Sequence, residues 1–100
     1  MGMNLQRLQQ QMMQELGRIQ SELAAATVEG SAGGGVVRAT VTGKQELVTV
    51  MIDPTAVDPS DVEMLQDLIV AAVNDALRAS RDLAEQKMAA VTGGLKLPGL

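Results

Sequence analysis

Five basic side chains, Arg7, Arg18, Arg78, Arg81 and Lys87, stand towards the two ends of a chain whose formal net charge is −4. Long cationic side chains spaced along a helix can bind nucleic-acid phosphates by releasing condensed counterions. The same residues also suit a solubilising face with helical ion pairs, such as Asp75 with Arg78, and Asp82 or Glu85 beside Arg81. Charge alone favours the second use, because a sequence pI near 4.6 and the absence of aromatic residues remove a strong positive field and base stacking. The distribution is more telling than the sum. Residues 1–14 carry a net +1 and residues 78–100 a net +2, whereas residues 15–77 carry −7. Such asymmetry suggests that the two ends meet something the middle does not.

Other candidate chemistry is weaker. Asp53, Asp58, Asp61 and Glu63 supply the oxygen ligands a divalent cation takes, but not at the spacing of a calcium loop, and they fit turns and helix starts. GSAGGG, residues 30–35, lacks the Lys-Ser/Thr of a phosphate loop and precedes a strand rather than a helix, so it is expected to be a flexible connection. There is no His, Cys, Tyr or Trp. Imidazole and thiolate catalysis and disulfides are therefore excluded, and the expectation is a protein that is not an enzyme and takes no metal, cofactor or small-molecule substrate. Seven Met residues fit adaptable core filling. No run of 18 apolar residues occurs, so no membrane contact is expected. The N-terminal MGMNLQRLQQQ has no apolar secretory core and no myristoylation pattern, which points to the cytoplasm.

One small domain, residues 1–100, must position these side chains. Leu5, Leu8, Met12, Leu16, Ile19 and Leu23 recur at helical spacing and predict a helix over about 4–26, with Asn4 as its cap. VVRATVT at 36–42 and ELVTVMID at 46–53, joined by Gly43-Lys44-Gln45, predict a hairpin, and a short strand at 27–30 adds a third member. A second helix follows over about 60–91. Its start is capped by Asp58 with Pro59 at the first helical position, or by Ser60 with Glu63. Thr92-Gly93-Gly94 supplies a stop, leaving a loose tail at 92–100 whose leucines could dock on a groove. The class is α+β with a three-stranded antiparallel sheet.

A helix over 60–91 is about 48 Å long at ~1.5 Å per residue, whereas a compact 100-residue domain is only about 35 Å across. It must protrude or lie along a second subunit. Val62, Leu65, Leu68, Ile69, Ala72, Val73, Ala76, Leu77 and Ala79 fill an arc of roughly 200°, wider than one hairpin face covers. Part of that arc is expected to pack on the sheet and the first helix, and part on an identical chain in a two-fold dimer. Ser80, Gln86 and Lys87 then interrupt the arc, so the last three turns are expected to be solvated and to form an arm beside an antiparallel first helix. Asn74-Asp75, set in the apolar VAAVNDALR, marks the wet face that limits the arc, unless Asp75 meets the partner subunit.

The succession VEGSAGGGVVRATVTG, VMIDP, EMLQDLIVAAVNDALRAS and EQKMAAVTGGLKLPGL closely resembles the YbaB/EbfC family of bacterial nucleoid-associated proteins over nearly the whole chain. The resemblance implies a tweezer-like homodimer whose paired-helix arms engage duplex DNA, with little sequence specificity, and alter its conformation. It also implies a nucleoid location, an influence on gene expression, and no catalysis. Arg7, Arg78, Arg81 and Lys87 fall at arm positions, with Arg18 nearer the body. LQRLQQQMMQELGRIQ is richer in Gln than in cations, which implies a shallow salt dependence. The residues leave two alternatives open. A protein-interaction or chaperone-like helical clamp would need apolar facing arms, and a metal-dependent hydrolase would need convergent carboxylates.

Overall fold

Leu8, Met12, Leu16, Ile19 and Leu23 line one side of helix α1, Gly2–Ala25, as their spacing requires. The computed structural model describes residues 2–95, with side chains over residues 4–91. Only the C-terminal turns of α1 are held: Ile19 and Leu23 are buried, whereas Leu5, Leu8, Met12 and Met13 are exposed. Asn4 lies inside the helix and not at its cap, since α1 already runs from Gly2.

Three strands follow, β1 (Thr27–Ala32), β2 (Val37–Thr42) and β3 (Leu47–Ile52), paired antiparallel in the order β1-β2-β3. Alternation puts Val37, Ala39 and Val41 of β2 into the core with 0% exposure, while Arg38 on the other face is exposed. Cross-strand register places Val28, Gly30 and Ala32 on the core side of β1, and Leu47, Val50 and Ile52 on the same side of β3. The far face carries Glu29, Ser31, Arg38 and Thr49 and is wet, as a half-covered antiparallel sheet allows.

Helix α2, Val62–Leu95, covers that core side by running antiparallel to β1. Leu68 reaches Gly33 at one end of the strand, Ala72 and Ala76 lie over Gly30, and Ser80 donates to the Thr42 carbonyl at the other end, 2.8 Å away. A Cβ at Gly30 would stand 2.1 Å from the Ala76 nitrogen and 2.6 Å from the Ala72 carbonyl oxygen, so strand and helix backbones touch there and only glycine fits. Past Ser80 the helix leaves the sheet and continues antiparallel beside α1. Together they make a protruding arm. The molecule measures 71 × 26 × 16 Å with a radius of gyration of 19.4 Å. A compact domain of this length has about 13 Å.

Several local expectations change. GSAGGG is not a flexible connection: Gly30, Ser31 and Ala32 finish β1, and Gly33, Gly34 and Gly35 form a tight turn with φ of 64°, 74° and 96°. That left-handed run is open to glycine and strained for other residues. Neither expected cap starts α2. Asp61 does, its carboxylate accepting the Met64 N–H at 3.2 Å, because Asp58 already accepts the Ser60 N–H and hydroxyl one turn earlier. Ser80 is fully buried rather than a sign of solvation, since its hydroxyl has the Thr42 carbonyl as partner. Finally, α2 passes through Thr92-Gly93-Gly94 as far as Leu95. Glycine permits a left-handed stop without enforcing one. The remainder of the expected tail, residues 96–100, lies outside the described residues.

Candidate nucleic-acid interface

The amphipathic repeat of α1 and the solvent stripe of α2 decide where the five basic residues sit. Arg78 and Arg81 are exposed on the outer side of α2, at the level of Ser80 and the sheet, so they stand at the root of the arm rather than along it. Arg18 and Lys87 stand further out, both on Glu22. Arg7 lies near the far end of α1, and counting residues at ~1.5 Å each from the Glu22–Lys87 contact puts it about 30 Å from Arg81 along the arm. The five do not converge; they spread over the arm's length.

Their partners differ as much as their positions. Arg18 donates to Glu15 at 2.6 Å and to Glu22 at 2.5 Å within α1, and Lys87 donates across from α2 to the other oxygen of Glu22 at 3.1 Å. These bonds raise the Arg18 guanidinium above its ordinary value, through Glu15 first and Glu22 second. They hold the Glu22 carboxyl below the usual range, through the hydrogen bond from Lys87 first and that from Arg18 second. Arg78 makes a loose contact with Asp75 at 3.7 Å, with both side chains half exposed or more. Arg7 and Arg81 form no ion pair among the described residues. Among the described residues Arg7 and Arg81 are thus open cations and Arg78 is loosely held, whereas Arg18 and Lys87 are engaged.

Between the arm helices lies an open groove of about 420 Å³, floored by Leu8, Met12, Ile19, Ala90 and Val91 and edged by Arg18, Glu22 and Lys87. The acidic residues of the turn region do not form a cation site. Asp53 accepts the Thr55 N–H and hydroxyl at 2.9 and 2.8 Å, Asp58 is engaged by Ser60, and Asp61 caps α2. Donors from Thr55 lower the Asp53 carboxyl, and those from Ser60 lower Asp58. Among the described residues no group of three His, Cys, Asp or Glu could hold a metal ion, and no helix is long and apolar enough to cross a membrane.

Two groups that matter here were missed by residue spacing. Glu22 joins both arm cations, and its role depends on α2 lying alongside, 65 positions later in the chain. Asp75 does not mark the wet face alone. Its carboxylate accepts the Ser31 N–H at 3.0 Å, fastening the outer edge of β1 to the helix that covers it. The usable signal was the position of Asp75 at the border of the polar stripe, where a short carboxylate reaches backbone more easily than solvent-facing Asn74 does.

The fold is shared with a solved structure. The crystal structure of an uncharacterized Helicobacter pylori protein superposes with a TM-score of 0.71 at 25% identity, over 91% of this chain and 92% of that one. A nucleoid-associated protein of Moorella thermoacetica is 54% identical over 99% of both chains. Another, from Syntrophobacter fumaroxidans, is 57% identical over 86% of this chain and 78% of its own. The profile described as the YbaB/EbfC DNA-binding family matches residues 1–95. Sequence motifs, fold and relatives agree, and the chain belongs to the YbaB/EbfC DNA-binding family.

Proposed function

We propose that the protein is a nucleoid-associated DNA-binding protein that grips duplex DNA with its helical arms, through phosphates and shape, with little sequence preference. The observation that carries this reading is the arm itself: a two-helix projection, in a DNA-binding family, with cations spread from its root to near its far end. Phosphates recur along DNA and suit such a row. Bending or bridging of the duplex, and effects on nucleoid organisation and gene expression, follow from two arms acting together. The working unit is a homodimer. Leu47, Val50 and Ile52 on the core side of β3, with Val57, Val62 and Val70 beside or on α2, are half-buried or exposed in one chain, and an identical chain offers the same apolar surface in return.

The test is a salt-titrated binding measurement on a random-sequence duplex, with the particle mass measured alongside. Wild type is expected at twice the chain's 10.5 kDa and to bind with a log-log salt slope of only a few units. Arg7→Ala combined with Arg81→Ala should lower that slope by about two units, roughly 0.9 for each phosphate that is no longer neutralised. No retention of DNA by the clean dimer at low salt would overturn the reading. The apolar floor of the groove favours a second one, a helical clamp for other proteins, which predicts protein capture unaffected by the arginine substitutions.

A further inference from the structure

Arg18 and Lys87 are held by an acid from their own arm, and the way they are held suggests more than a strut. Glu15, Arg18, Glu22 and Lys87 form a continuous chain of charge in which two acids offset two bases, so this stretch presents no net attraction to a polyanion. Glu22 is its centre, with one oxygen on each cation. The network is open to solvent: the side chains of Glu22 and Lys87 are 39% and 32% exposed, and they stand on the rim of the open groove. Partly exposed ion pairs of this kind are weak, and a phosphate oxygen offers the same donors an equivalent acceptor with the added gain of counterion release.

We propose that Glu22 is an internal stand-in for a DNA phosphate: it occupies a phosphate-binding site made by Arg18 of α1 and Lys87 of α2, and a backbone phosphate of duplex DNA displaces it. This rests on the DNA-binding reading and deepens it, by adding a gated contact to the open ones at Arg7, Arg78 and Arg81. The exchange also couples binding to arm geometry. The Lys87–Glu22 bond ties α1 to α2 in the arm, so a phosphate that takes Lys87 loosens one helix from the other. Glu22 thereby limits affinity at ordinary salt and keeps the closed arm from collecting anions at random.

The experiment compares the full chain with Glu22→Gln and with Glu63→Gln, which removes the same charge from the first turn of α2 at the opposite end of the molecule. Each is titrated with a random-sequence duplex of about 30 base pairs over a range of salt, with folding checked by circular dichroism. Glu22→Gln should bind about threefold more tightly than Glu63→Gln and show a salt slope steeper by about one unit. Lys87→Gln in the Glu22→Gln background should remove that excess. Equal binding by the two single variants, or an excess that survives Lys87→Gln, would overturn the proposal. If Glu22→Gln fails to fold, Lys87→Gln alone decides: a slope lower by about one unit supports the site, and an unchanged slope rejects it. Wild type that retains no DNA at low salt would refute the underlying reading, whereas wild type that binds without the Glu22 effect refutes only this site.

Discussion

The body and the arm of this molecule are built from the same two helices under opposite rules. In the body, α2 lies so close to β1 that Ala72 and Ala76 meet the backbone of Gly30, and Val37, Ala39 and Val41 are sealed beneath. In the arm, α1 has Leu5, Leu8, Met12 and Met13 in solvent, Gly17 has nothing within 4 Å of where a Cβ would stand, and a carboxylate links it to α2. Close backbone approach makes the body depend on the size of single atoms. The arm depends on charge and tolerates changes of volume. The body is a tightly packed mount, and the arm is a more openly packed projection from it.

Substitutions at the two glycines put this contrast at risk most directly. Gly30→Val drives a side chain into the α2 backbone and should destabilise by about 3 kcal/mol or more in urea unfolding, or prevent folding altogether. Should it be tolerated, the α2 backbone does not lie against β1. Ser80→Ala comes next, with an expected loss of about 1 kcal/mol in the same measurement, because the Thr42 carbonyl keeps the Gln45 N–H at 3.0 Å but is deprived of the buried hydroxyl. Gly17→Ala reverses the sign. In an exposed helix interior it should stabilise by about 0.5–1 kcal/mol and leave the body untouched, and a destabilisation instead would mean that Gly17 packs against something in the assembled protein.

The smallest expected effect concerns the link between body and α2. Asp53 and Asp58 have carboxyls lowered by Thr55 and Ser60, so their unfolded forms bind protons more readily than their folded forms. Stability from these turns is therefore present above the ordinary carboxyl value of 3.8 and is lost as pH falls through the lowered folded values. A modest fall in melting temperature below about pH 4, reduced in Asp53→Asn and Asp58→Asn together, is the expected outcome. An undiminished acid response in the double variant would assign it to other carboxylates.

Helical spacing from Leu5 to Leu23 and strand alternation in VVRATVT were enough to place the elements, because each pattern reflects one covered face. The excess length of α2 over a compact domain was legible for the same reason. What misled was local chemistry judged without neighbours. Ser80 looks solvated only if no carbonyl is near, and GSAGGG looks flexible only if nothing presses on Gly30. The basic residues were legible as types and positions along the chain. Arg78 and Arg81 fell at the root because α2 is still on the sheet at Ser80, a fact set by the Gly30 contact and absent from any helical wheel.

The sequence by itself therefore determined the elements, their order, the lack of imidazole and thiol chemistry, and the family, since all of these reside in residue identity and short-range period. Tertiary structure alone decided that Lys87 is held, that Asp75 fastens β1, and that Glu22 stands between Arg18 and Lys87. Those outcomes join residues 44 and 65 positions apart. Side chains so distant in the chain acquire partners only when packing brings their elements together, and the electrostatic character of a charge follows from the partner it meets.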